Sequence, residues 1–159
     1  MARELKTNVM RILEKNQISY EALHYSCDQF IDGVHVADQT GTPHEQSFKT
    51  LVARGKSGAF YVFVLPVEQE VDLKKAARVC GEKSVALLHV RELTAVTGYM
   101  RGGCSPVGMK KQFPTFYEKS AAEFQEIYIS GGRVGLTLKV RTDALLFVTA
   151  GQYADFAAV

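Results

Sequence analysis

The strongest constraint on the fold is a turn between two apolar stretches. Residues 47–53 read as a strand by content, Arg54-Gly55-Lys56-Ser57-Gly58 supplies the turn, and residues 59–65 read as the next strand, stopped by Pro66. Helical patterns surround this hairpin. Leu5, Val9, Ile12 and Leu13 recur at helical spacing and predict an amphipathic first helix that frays near Asn16. Residues 20–25 read as a strand and 32–39 as a short helix with Asp32 near its start. Asp72 can cap a helix over 73–80 that Gly81 stops. A strand over 85–89, a helix over 92–97, a strand near 115–117 and a helix around 121–124 follow. Strands over 126–129 and 135–140 are joined by the tight turn Gly131-Gly132, and Thr142 and Asp143 open a last helix that Gly151 ends. Strands connected both by hairpins and by helices predict a mixed sheet, hence an α/β or α+β class. No repeat or linker breaks the chain of 159 residues, so one domain over 1–159 is expected.

Composition narrows the function by exclusion. With 47% hydrophobic and 23% charged residues, the chain has the content of a globular protein. Nineteen lysines and arginines against 17 acidic residues leave a net charge of +2, too small to announce a nucleic-acid protein, although a local basic patch is compatible with it. The cysteines, Cys27, Cys80 and Cys104, are far apart, odd in number and free of zinc spacing, which favours a reducing, cytoplasmic setting. The charged opening lacks the apolar centre of a signal peptide, and the apolar run 59–66 is too short to cross a bilayer, so no membrane partner is expected.

Familiar catalytic signatures fail in turn. Gly55-Lys56-Ser57 resembles the end of a phosphate-binding P-loop, but the earlier glycine is Thr50 and the segment joins two strands. No GxGxxG opens a helix. His24, His35, His44 and His89 are scattered, without a metal-ligand spacing. Ser105 has no GxSxG elbow, and Cys104 has no protease signature and is better read as a packing residue.

Two features remain. Residues 98–108 form a glycine-rich loop whose backbone can approach a ligand closely, with amides able to converge on an anion or a polarised carbonyl oxygen. On glycine content alone, a long surface turn is an equal reading. Lys49 lies in a strand whose faces are otherwise mostly apolar, where it could bind a phosphate or polarise a substrate. Snorkelling from a sheet edge is the commoner fate of a strand lysine.

Order and residue type together say more. Ser47-Phe48-Lys49-Thr50-Leu51, then Gly102-Gly103-Cys104-Ser105-Pro106-Val107-Gly108-Met109-Lys110-Lys111, then Ser130-Gly131-Gly132-Arg133-Val134-Gly135 resemble the YbaK/EbsC family over essentially the whole chain. These are bacterial deacylases of cysteine mischarged onto proline tRNA, related to the editing domain inserted in bacterial prolyl-tRNA synthetases. The resemblance implies a mixed α/β domain with a barrel-like core and surrounding helices. It places Lys49 at the tRNA 3′ end near the terminal adenosine, and Gly102, with Gly103 beside it, at the aminoacyl group. Tyr25, Ser105 and Ser130 are implied at the substrate; Asp143 is a further candidate that no tight motif anchors. Several of Arg101, Lys110, Lys111 and Arg133, with Lys139 and Arg141 nearby, are implied along the acceptor-stem phosphates, although an ordinary solvated surface charge is the commoner reading of any single one. The implied chemistry uses the substrate's own thiol to attack the ester carbonyl, with no cofactor, metal or enzyme nucleophile. Aminoacyl-tRNA and prolyl-tRNA synthetase are the implied partners. Relatives that clear alanine, a binding module without turnover, and a synthetase-docking protein are the competing readings.

Overall fold

The computed structural model describes residues 5–26 and 31–158; Cys27 lies outside them. The order is α1 (Asn8–Lys15), β1 (Tyr20–His24), α2 (Gly33–Thr40), β2 (Phe48–Gly55), β3 (Phe60–Pro66), α3 (Leu73–Cys80), β4 (Val85–Leu87) and α4 (Val90–Thr97). Then follow β5 (Thr115–Glu118), β6 (Glu126–Ser130), β7 (Leu136–Arg141), α5 (Thr142–Thr149) and β8 (Gln152–Ala154). The mixed class is as expected, but the strands form two sheets. One is antiparallel, ordered β1-β7-β6; the other is ordered β4-β2-β3-β5-β8, and in it β5 runs parallel to both β3 and β8. The sheets meet where Ser47 bridges Tyr128, beside the start of β2.

The hairpin explains why the core is double. In β3, Val62 and Val64 enter one cluster with Phe48 and Val52 of β2, Leu136 and Leu138 of β7, and Val9 and Leu13 of α1. Phe63 and Leu65 point the other way, to Ala76 and Ala77 of α3, Phe116 and Phe156. A strand buried on both faces needs apolar residues at every position, and this one has them. The sheet is thus sandwiched, with α1 and the three-stranded sheet on one side and α3 on the other.

Local signals place most ends. Asp72 accepts from the amides of Lys74 and Lys75, and Gly81 closes α3 at φ +73°. Gly58 donates to the Gly55 carbonyl at 2.9 Å within the hairpin turn. Several expectations need correction. Leu5 is exposed and outside α1, which Thr7 caps. The helix expected around 121–124 is a 3-10 turn over Lys119–Glu123, β4 stops at Leu87, and α4 starts at Val90. The edge strand β8 was not anticipated.

Candidate active site

A cavity of about 380 Å³ opens between the two sheets, walled by the start of β2, α2, the β4–α4 junction, the glycine loop and the β6–β7 ends. Five of the anticipated site residues line it: Tyr25, Lys49, Arg101, Gly102 and Ser130. They come from widely separated parts of the chain.

Lys49 is the second residue of β2, and its side chain is only 22% exposed. Its ammonium lies 3.5 Å from the Glu70 carboxylate, which is 77% exposed. Alongside runs α2, capped by Asp32, whose carboxylate accepts from the His35 amide at 2.9 Å. That hydrogen bond is the main reason the Asp32 carboxyl is held below its ordinary range; the His35 ring and Lys49 add to it. The helix sits so close to the sheet that a Cβ on Gly33 would lie 2.6 Å from Val67 Cγ1. Below it, hydroxyls form a chain: Thr42 and Ser47 share a 2.7 Å hydrogen bond, and Ser47 donates to the Pro43 carbonyl. Thr50 Oγ1 is buried in the cavity wall with no hydrogen-bond partner among the described residues.

The glycine loop is held at both ends. Thr97 accepts from the Lys110 amide, and the Tyr99 hydroxyl donates to the Val107 carbonyl. Between them Gly102 adopts φ +86°, a conformation that suits glycine, and Gly103 donates its amide to the Met100 carbonyl at 2.9 Å. A Cβ on Gly103 would stand 2.9 Å from Arg133 Cα and 3.1 Å from the Val134 nitrogen. The two glycine motifs therefore touch backbone to backbone. Ser130 lies at the other side of that contact, its hydroxyl accepting from the Gly132 amide. Tyr25 is tied to the same turn by its amide, which donates to the Gly135 carbonyl. The N-terminus of α1 supports both loops: Thr7 Oγ1 donates to the Gly131 carbonyl at 2.6 Å, and Asn8 reaches the Gly108 carbonyl.

Other anticipated residues lie elsewhere. Ser105 is fully buried, accepts from the Val107 amide and does not line the cavity, because the SPxG turn folds its side chain inward. Asp143 starts α5 on the surface, 2.8 Å from Arg141, and is likewise outside the lining. Thr137 of β7 lines the cavity instead. Lys110 and Lys111 are exposed, and the Lys110 stem packs over Gly98. Arg133 is exposed on the neighbouring turn, and Lys139 pairs with Glu126 at 3.6 Å. Sequence reasoning missed α2 as a wall and the hydroxyls of Thr42, Thr50 and Thr137. Only Thr50 stood inside a recognised motif.

The one cysteine in the cavity lining among the described residues, Cys104, is 8% exposed, and burial pushes its thiol up to about 12. At neutral pH it is a thiol, which is a poor nucleophile. No group of three histidine, cysteine or acidic side chains among the described residues could hold a metal ion. No helix among them is long and apolar enough to cross a membrane.

His44 braces the α2 wall. Its Nδ1 lies 2.5 Å from Glu68 and its Nε2 2.7 Å from Asp38 of α2, so Glu68 first and Asp38 second raise its pKa above 6.5. A raised value means that the stabilisation is complete below the unfolded value and is lost as pH rises through the folded one. The difference in melting temperature between the protein and its His44→Gln variant is therefore expected to be larger at about pH 6 than at about pH 9. A difference independent of pH would show that the brace does not depend on charge.

Two sheets that enclose a cavity furnished by three motifs define an aminoacyl-tRNA editing fold. Residues 33–148 match the family model of the aminoacyl-tRNA editing domain, and the chain belongs to that family. It is 40% identical over 151 residues to an Enterococcus faecalis V583 protein, EbsC, named as a candidate Cys-tRNA(Pro)/Cys-tRNA(Cys) deacylase, covering 94% of this chain and 92% of that one. A crystal structure described as a candidate trans-editing enzyme for prolyl-tRNA synthetase matches with a TM-score of 0.80 at 24% identity, over 98% of this chain and 100% of the other. The hypothetical protein APE2540 matches with a TM-score of 0.85 at 21% identity, over 94% and 99% of the two chains. These two structures speak for the fold.

Proposed function

We propose that the protein is a trans-acting editing deacylase that releases cysteine mischarged onto tRNA(Pro). The observation that carries this reading is the meeting of Lys49, Gly102, Ser130 and Tyr25 in one cavity whose lining cysteine among the described residues, Cys104, has a thiol held protonated. Such a site positions an ester and stabilises charge; it does not attack. In the reaction, the substrate thiol sulfur bonds to the ester carbonyl carbon and the carbon–oxygen bond to the ribose breaks. The thiol proton ends on the ribose hydroxyl, the cyclic thioester departs, and water opens it to cysteine.

The protein supplies the setting. Lys49 brings positive charge to the 3′ terminus. The Gly103 amide is used inside its own turn, so the Gly102 and Cys104 amides, which have no acceptor among the described residues, are the donors available to the oxyanion. Gly103 serves instead by allowing the two loops to touch. Of the cations flanking the motifs, Lys139 and Arg141 already hold carboxylates, which with a net charge of +2 supports a weak grip on tRNA. Prolyl-tRNA synthetase is the partner that would supply the missing selectivity.

The test is amino-acid release from tRNA(Pro) charged with cysteine, alanine, serine or proline. Cysteine is expected to leave fastest, serine slowly through its weaker hydroxyl nucleophile, and proline not at all. Equal release of alanine would remove the substrate-thiol mechanism. Cys104→Ala is expected to keep cysteine release within about threefold, since truncating a buried protonated thiol removes packing and not a nucleophile. Complete loss in a folded variant, with an acyl group trapped on Cys104 of the parent protein, would assign covalent catalysis to the enzyme.

A further inference from the structure

Glu70 sets up a competition at the lysine. Its backbone is pinned: the Glu70 carbonyl accepts from the Ala158 amide at 2.7 Å, and Val71 bridges Ala157. Its side chain is the opposite, 77% exposed and, among the described residues, paired with Lys49 alone at 3.5 Å. Lys49 is mostly buried and has no such freedom. The pair therefore joins a fixed cation to a carboxylate that loses little on swinging into water. Among the described residues, Asp32 is another carboxylate near the lysine and is committed to capping α2 and to His35, and Glu68, two residues before Glu70, is committed to His44. Glu70 is the exchangeable member of the set.

We propose that Glu70 is a specificity-determining residue, a built-in counter-ion that occupies Lys49 until the phosphate of a bound nucleotide end displaces it. The proposal rests on the deacylase reading for the identity of the substrate, but its electrostatics concern any phosphate-bearing ligand of this cavity. A lysine covered by its own carboxylate is less available to bulk anions. A ligand reaches it only by adding contacts elsewhere in the cavity, as an aminoacyl-adenosine end can and inorganic phosphate cannot. When the substrate displaces Glu70, no bulk anion needs to leave.

Two readouts follow from Glu70→Gln, measured by cysteine release from cysteinyl-tRNA(Pro) and by calorimetric binding of adenosine monophosphate. Both KM for the tRNA and Kd for the nucleotide are expected to fall about threefold at low salt, the scale of a partly exposed ion pair, with kcat changed by less than about twofold. The nucleotide's affinity should also depend more steeply on salt, because a bulk anion now covers Lys49 and must be released. In a Lys49→Ala background the same substitution should do nothing. A higher KM together with a lower kcat would overturn the proposal, since Glu70 would then be holding Lys49 in its working position. If neither protein releases cysteine, the deacylase reading fails and nucleotide binding decides alone. Tighter binding in Glu70→Gln upholds the counter-ion; equal, weaker or undetectable binding overturns it.

Discussion

Lys49→Ala is expected to lower kcat/KM for cysteine release by at least about 100-fold, the loss typical when a charge or donor that meets the transition state is removed from an enclosed site. The fold should survive. Lys49 pairs with a carboxylate that is largely in water, and such pairs are worth about 0–1 kcal/mol. Alanine also keeps the Cβ that lies 4.0 Å from where a side chain on Gly33 would begin, so the α2 wall keeps its neighbour. The check is release kinetics beside a thermal melt. A variant that melts normally and turns over at near-normal rate would remove Lys49 from the mechanism.

Gly103→Ala is expected to be the most damaging glycine change at the site. The new methyl would meet Arg133 Cα at 2.9 Å and the Arg133 carbonyl carbon and Val134 nitrogen at 3.1 Å. All three are backbone atoms, so no side-chain rotation relieves the clash and the two loops must separate. Overpacking of this kind costs about 1–3 kcal/mol, and a shift near 1 Å between positioning groups can cost about 100-fold in rate. The expected outcome is a lowered melting temperature with kcat reduced by at least about tenfold. Gly58→Ala is the comparison. It has a positive φ of +95° but open space around its Cβ, and it lies in the hairpin turn away from the cavity, so it should cost some stability and no activity. If both variants behave alike, the close approach of the two loops at Gly103 is not what sets the rate.

How far the sequence carried differs by the range of the forces involved. The bounds of α3 were readable to the residue because Asp72 and Gly81 act on the turns next to them. The β2–β3 hairpin was readable for the same reason. By contrast, β8 is three residues long and exists through parallel pairing with β5, about 35 positions earlier, and no local pattern announces such a strand. At the site, the residues singled out by motif that line the cavity include Lys49, Gly102 and Ser130. Ser105 shares a motif with Gly102 yet lies outside the lining, turned into the core to receive the Val107 amide. Asp143, a candidate that no tight motif anchored, is faced outward to Arg141 by helix α5, and Thr137, six residues earlier, reaches the cavity from β7. Chemical type without a face is a weak guide.

The first helix holds the glycine loops through partners 124 and 100 residues away, Thr7 to Gly131 and Asn8 to Gly108. Contacts of that span close late, since each must first meet the entropy of a long loop. During refolding, the hairpin of β2 and β3 can therefore form well before the cavity has its final shape. Catalytic competence should return with the slowest folding phase, and a circularly permuted chain whose joined ends place α1 shortly after β8 should regain it sooner.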